Sequence, residues 1–243
     1  MTNYRDRGIV LRTYKLGEAD RIVVLLTENH GKVRAVAKGV RKTTSKIGAR
    51  LEPMNHVDVL LHRGRDLDTV SQVDLLSAGL DLRSNLDVLT SGMALLEGAD
   101  HMTQDREPCP QTYRMLLGAL ATLGDGASPV LVAAFYWKLL ASEGLSPQLD
   151  RCVMCDTTDH LVAFDLGHGG VQCTACRTGV GLSSGALALL RQILGGQLVA
   201  ALTAEESSAT SEVTALATRA MEFHNERRLR SSAMFEHRRT SSS

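Results

Sequence analysis

The segment RIVVLLTENHGKVRAVAKGVRKTTSKIGAR, Arg21 to Arg50, reads as a β-hairpin followed by a basic linker. Arg21–Thr27 is a β-branched and aliphatic strand, and ENHG (Glu28–Gly31) is a hairpin loop ending in glycine. Lys32–Lys38 alternates: Val33, Ala35 and Ala37 face one way, and Lys32, Arg34, Val36 and Lys38 the other. From Lys32 onward the segment carries Lys32, Arg34, Lys38, Arg41, Lys42, Lys46 and Arg50 with no Asp or Glu among them.

Working outward, Ile9–Leu11 lies in a preceding strand, and KLGEAD (Lys15–Asp20) makes the turn into the hairpin. Val57–His62 and Asp68–Leu75 supply two more strands around the polar turn Arg63–Asp66. Five short strands within residues 1–78 fit a closed barrel of the OB type, a fold that often binds oligonucleotides. The linker Gly39–Arg50 joins the third and fourth strands, and Arg41, Lys42 and Lys46 extend the strand face that holds Arg34 and Lys38.

The chain of 243 residues has a net charge of zero, but the charge is unevenly placed. Residues 1–50 hold twelve Lys/Arg against Asp6, Glu18, Asp20 and Glu28, a net +8 that the remainder balances with −8. Such asymmetry suggests a polyanionic partner, and phosphate backbones are the usual one, because each cation that displaces a condensed counterion gains entropy. A solvated basic loop kept for solubility is the plainer reading. Residues 1–80 contain only Tyr4 and Tyr14 as aromatics, too few for a stacking-driven single-strand clamp. The expectation is a surface that grips backbone and leaves bases free.

From residue 79 the hydrophobic period changes from two to about 3.6. Leu82, Leu86, Leu89, Met93 and Leu96 make one helical stripe, and Tyr113, Leu116, Leu117, Leu120 and Leu123 a second. Ser128-Pro129 is a helix start, and Val130–Glu143 is almost wholly apolar, a buried helix. Its Phe135, Tyr136 and Trp137 point in different directions, which favours core packing over base stacking.

Cys152-x-x-Cys155 and Cys173-x-x-Cys176, separated by residues 156–172, have the spacing of a structural zinc ribbon. Two thiolates three residues apart on a tight turn reach one ion, and two such turns complete a tetrahedron with Zn–S of about 2.3 Å. Leu161–Asp165 and Gly169–Gln172 are the ribbon's strands, and His160 and His168 read as polar loop residues. Four thiolates leave no open position for water, so a catalytic zinc is disfavoured. A redox C-x-x-C explains one pair but not two. Cys109 stands outside this set and receives no function.

Ser183 or Ser184 caps a helix running to Leu194, and Glu205–Ser231 reads as a long closing helix with a basic end at Arg219, Arg227, Arg228 and Arg230. The fold class is α+β: an N-terminal OB-fold β-barrel (1–78), then an all-α helical domain in two parts (79–150 and 179–231) interrupted by a four-cysteine zinc ribbon (151–178). Residues 232–243 read as a disordered tail. With no apolar run long enough to span a bilayer and no signal-peptide core at the N-terminus, the expected location is cytoplasmic.

Three segments together resemble a known family. GIVLRTYKLGEADRIVVLLTENHGKVRAVAKGVRK (Gly8–Lys42), LLASEGLSPQLDRCVMC (Leu139–Cys155) and HNERRLRS (His224–Ser231) are similar in content and order to the bacterial RecO family of recombination mediators. The resemblance implies binding of single- and double-stranded DNA, annealing of complementary strands, and partnership with RecR. With RecR, such a protein helps load RecA onto DNA coated by single-strand-binding protein, in the cytoplasm at the nucleoid. It also implies that Arg12, Arg21, Lys32, Arg34, Lys38, Arg41 and Lys42 are basic barrel positions, that Cys152, Cys155, Cys173 and Cys176 are Zn2+ ligands, and that Arg227 and Arg230 belong to the end of the final helix. Asn225 and Glu226 depart from the commoner apolar-Gly pair there. Lys46 and Arg50, on the reading of the basic linker, and Arg227 and Arg230 at the helix end join the barrel cations in the nucleic-acid-binding set.

A different class of function, a zinc-ribbon and OB-fold factor that binds structured RNA in transcription or translation, shares the barrel and the knuckle. An enzyme is disfavoured, because no G-x-S-x-G, HExxH, P-loop or paired-carboxylate arrangement occurs, and the glycines between 167 and 170 open no helix.

Overall fold

The structure is a computed structural model, which describes residues 2–41, 46–79, 85–126 and 128–230, with the side chains of Lys46 and Asp125 left aside. It divides into two compact units, one up to Asp125 and one from Gly126.

The first unit contains a closed five-stranded barrel: β1 (Asn3–Leu16), β2 (Asp20–Thr27), β3 (Gly31–Ala37), β4 (His56–His62) and β5 (Asp68–Ser77). Neighbours run in the order β1-β2-β3-β5-β4, and β1 returns to β4. The closing β3–β5 pair is the parallel one, joining Ala35 to Asp68 and Val36 to Thr69. β1 is long because it serves both edges: Asn3–Ile9 pair with β4, and Gly8–Leu16 pair with β2, with a bulge between Val10 and Arg12. A bulge of this kind bends a strand, which a small barrel needs at its corners.

The barrel interior is filled by Val10, Val23, Leu25, Val33, Ala35, Val57, Val59, Leu61 and Val73, the inward half of each alternating strand. The alternation of Lys32–Lys38 holds as expected. β2 is different. Val24 and Leu26 are outward by parity yet wholly buried, as are Ile9 and Leu11 on β1. Two helices cover them: α2 (Leu86–Met102), which packs on β1, and α3 (Pro110–Asp125), which packs on β2. A strand buried on both faces is a continuous apolar run, and RIVVLLT is one.

α2 and α3 fall in the compact unit of the barrel. The physical reason is the outer apolar face of β1 and β2, which needs those two helices. Gly31 shows how close they come. Its φ is +67°, and a Cβ there would lie 1.8 Å from the Glu107 carbonyl oxygen in the α2–α3 connection.

α2 starts at Asn85, whose side chain accepts the Asp87 amide at 2.8 Å. The predicted stripe is rotated, with Leu86 70% exposed while Thr90, Ala94, Leu95, Leu96 and Ala99 are buried. Leu82 lies outside the described residues. The basic linker, expected as loop, contains a single helical turn, α1 (Lys46–Arg50).

The second unit holds α4 (Leu131–Ser142), a three-stranded ribbon of β6 (Leu161–Asp165), β7 (Gly170–Cys173) and β8 (Val180–Gly181), then α5 (Ser184–Leu194), α6 (Leu198–Leu202) and α7 (Ser208–Asn225). Phe135, Tyr136 and Trp137 are all buried, and the Trp137 ring lies 5.6 Å from that of Phe164 on β6, so this aromatic run is core. α7 is shorter than the predicted Glu205–Ser231. It starts at a Ser207/Thr210 capping box and stops at Glu226, whose φ is 51°. Arg227, Arg228 and Arg230 therefore follow the helix rather than ending it. Ser231 and the tail lie outside the described residues.

Candidate nucleic-acid interface and metal centre

The outward residues of β1, β2 and β3 form transverse rows fixed by strand register. Arg12 faces Val24, which faces Arg34, and Tyr14 faces Ile22, which faces Val36. With strands about 4.8 Å apart, Arg12 and Arg34 stand about 10 Å from one another. Beyond the second row the β1–β2 turn and the chain after β3 are tied together. The Gly39 amide donates to Asp20 Oδ1 at 2.7 Å, the Arg41 amide to the Ala19 carbonyl at 2.9 Å, and the Arg41 guanidinium to the Gly17 carbonyl at 2.9 Å. These bonds hold Lys38 and Arg41 at the same end of the barrel.

The candidate cations divide by what they touch. Arg34, Lys38 and Arg41 are exposed, and among the described residues no carboxylate pairs with them. Lys32 is a correction: it is outward by parity but buried. Its ammonium donates to the carbonyls of Asp100 and Thr103 at 2.7 Å each and lies 3.2 Å from Asp100 Oδ1. Two of the three ammonium protons are thus taken by carbonyls, and the side chain is only 10% exposed. Arg21 pairs with Glu52 at 2.6 Å. Arg50 donates to the Val73 carbonyl at 2.6 Å and lies 3.8 Å from Asp74. Arg12 is half-exposed, bound to Asp100 Oδ2 at 2.9 Å and set over the Tyr14 ring at 5.2 Å.

Lys42 and the side chain of Lys46 lie outside the described residues. Arg227 and Arg230 are exposed and belong to the second compact unit, not to the barrel. Sequence reasoning had no way to find Asp100, which meets Lys32 across 68 residues of chain. Tyr14, two residues on from Arg12 along β1, lies on the same side of the strand as its guanidinium. Tyr4, the other aromatic, is occupied. It donates its hydroxyl to Asp68, and Arg106 donates to the same carboxylate at 2.8 Å. Burial works to raise the Asp68 pKa, but hydrogen bonds from Tyr4, Arg106 and the Gly64 amide outweigh it and hold the carboxyl below its usual range.

In the second unit the Sγ atoms of Cys152, Cys155, Cys173 and Cys176 lie within 4.8 Å of one another. Cys155 and Cys173 are 3.7 Å apart at sulfur, far from a disulfide. A tetrahedron of thiolates at about 2.3 Å from a central ion has edges of about 3.8 Å, so the spacing fits a zinc-sized cation. The turns prepare the charge. Burial raises the Cys152 thiol, but amides of Cys173, Met154 and Cys155 bonded to its sulfur bring it down to about 6. Cys176 is pushed up to about 12, first by its contact with Cys155 and then by Cys173. Four thiols this close cannot all ionise unless a cation sits among them. All four residues match the sequence expectation. β6 and β7 pair as a hairpin behind them, and β8 extends the ribbon past the predicted end at 178.

No helix among the described residues is long and apolar enough to cross a membrane.

Two family models match the chain, recombination protein O N terminal over residues 1–78 and recombination protein O C terminal over residues 83–233. The chain is 42% identical over 236 residues to the DNA repair protein RecO of Frankia casuarinae, covering 95% of this chain and 97% of that one. It is 45% identical over 185 residues to the DNA repair protein RecO of Cutibacterium acnes, covering 73% of this chain and 75% of the relative.

Proposed function

Because this chain belongs to the RecO family of DNA repair and recombination proteins, we propose that it is a DNA-annealing recombination mediator that holds single- and double-stranded DNA by the phosphate backbone. With RecR it helps load RecA onto DNA coated by single-strand-binding protein, in the cytoplasm at the nucleoid. The observation that supports this most is that Arg34, Lys38 and Arg41 are exposed and meet no carboxylate among the described residues. Lys42 and Lys46 continue the same linker. No acid–base step is asked of the protein, which acts without catalysing a reaction. Cations that screen two phosphate chains lower their repulsion, and accessible bases then find their complements.

The four cysteines hold structural Zn2+. The ion would brace the loops around β6 and β7, and with four thiolates it has no position for a reacting water.

The test is annealing of complementary oligonucleotides, bare and precoated with single-strand-binding protein, with and without RecR. Acceleration on both substrates supports the reading. Equal rates with and without the protein overturn it. A binding constant that ignores salt would do the same, since engaging about four phosphates on a single strand sets a log–log slope near about −3.

A further inference from the structure

We propose that Tyr14 is a stacking platform for one unstacked nucleobase, so that this barrel face prefers single-stranded to duplex DNA. The inference rests on the phosphate-binding reading above and adds a base contact to it.

The argument starts from exposure. Tyr14 is 44% exposed, whereas Ile9, Leu11, Val24 and Leu26, outward groups nearer the helices, are buried. It stands between cations. Arg34 lies in the adjacent transverse row, and Lys38 and Arg41 are at the barrel end beyond it. A strand whose phosphates follow Arg34 to Lys38 therefore passes the exposed part of a ring over which, among the described residues, Arg12 alone is set. The half-buried Ile22 and Val36 lie in the same transverse row as Tyr14, and Leu16, 37% exposed, is two residues on along β1, so the ring's neighbours by register are apolar.

The ring is also preorganised. The Arg12 guanidinium lies 5.2 Å from its centroid, and Asp100 fixes that guanidinium at 2.9 Å. Asp100 is in turn held by Lys32 from β3. Arg12 is thus a positioning residue for Tyr14. Its charge over the ring adds a cation–π term that a single-strand groove commonly uses. Bases inside a duplex are already stacked on one another and cannot reach a ring on the protein surface. A single strand can place one base there and leave its neighbours free to pair.

The test compares three fluorescent probes of equal length by anisotropy at fixed salt: oligothymidylate, a phosphodiester strand of abasic residues, and a duplex. The wild-type chain should bind oligothymidylate about fivefold or more tighter than the abasic strand. Tyr14→Ala and Tyr14→Leu should lose that advantage while keeping the affinity for the abasic strand, and Tyr14→Phe should retain it. An advantage for bases that survives both Tyr14→Ala and Tyr14→Leu overturns the platform. So does a wild-type chain that binds oligothymidylate and the abasic strand equally, in which case Tyr14 faces a protein or nothing. Failure of the wild type to bind any probe overturns the phosphate reading and the platform with it.

Discussion

Lys32 on β3 lies 3.2 Å from the carboxylate of Asp100 on α2 and donates to the Asp100 carbonyl at 2.7 Å. The same carboxylate holds Arg12 on β1 at 2.9 Å. One acid near the end of α2 thus clasps two barrel strands and withdraws one cation from the surface entirely. The consequence is a sorting of the basic residues into those that hold the fold and those that remain to meet a partner.

Lys32→Met should destabilise the first unit by about 2 kcal/mol, because it leaves two carbonyls without their donor and the Asp100 carboxylate with Arg12 alone. Below its melting temperature the variant should bind DNA nearly as well as wild type. Arg34→Glu should do the reverse, with an unchanged melt and weaker binding on all sequences. Thermal melts beside anisotropy titrations decide the matter, and a Lys32→Met protein that is stable yet loses DNA would refute the sorting.

Removing two exposed cations has a signature that a folding defect does not share. The double variant Arg34→Ala/Lys38→Ala should flatten the slope of log K against log salt by about 1.4 on single strands. Titration of one oligonucleotide across several salt concentrations measures it. An unchanged slope would place the phosphates elsewhere.

Asp68 predicts an acid limb of stability. Its folded pKa is depressed, so its contribution is present above the unfolded carboxylate value of about 3.9 and is lost as pH falls through the folded value. Asp68→Asn should cost about 2 kcal/mol at neutral pH, a figure discounted because Arg106 is 34% exposed. Denaturant midpoints followed downward from neutral pH should converge for the two proteins as the pH passes below the folded value and the wild type loses its advantage.

The cysteine cluster should bind one zinc per chain, and alkylation of the thiols should be blocked until the metal is removed. Cys155→Ser should lose the metal and lower the melting temperature of the second unit by about 8 °C or more. Metal analysis with calorimetry tests both, and a full complement of zinc in Cys155→Ser would mean a different ligand set.

Local pattern carried much of this molecule. The alternation in Lys32–Lys38 set which side chains fill the barrel, because a two-residue period leaves no other choice once one face is apolar. The paired C-x-x-C spacing brought four sulfurs together, because a tight turn fixes each pair and a hairpin joins the turns. Helix limits were less legible. Leu86 fits a stripe by spacing but sits at the first turn of α2, and α7 stops at a left-handed residue rather than at any Gly or Pro.

By itself, then, the sequence determined the barrel, the four-sulfur knot and the location of positive charge, each of which is a matter of near neighbours along the chain. Only the tertiary structure decided which charges are free. Asp100, Glu52 and Asp74 reach Lys32, Arg21 and Arg50 from other strands, helices and loops, and the apolar back of β2 drew α2 and α3 onto the barrel. Ion pairs and burial depend on distance in space, and residues far apart in the chain carry no local mark of the partner that folding brings to them.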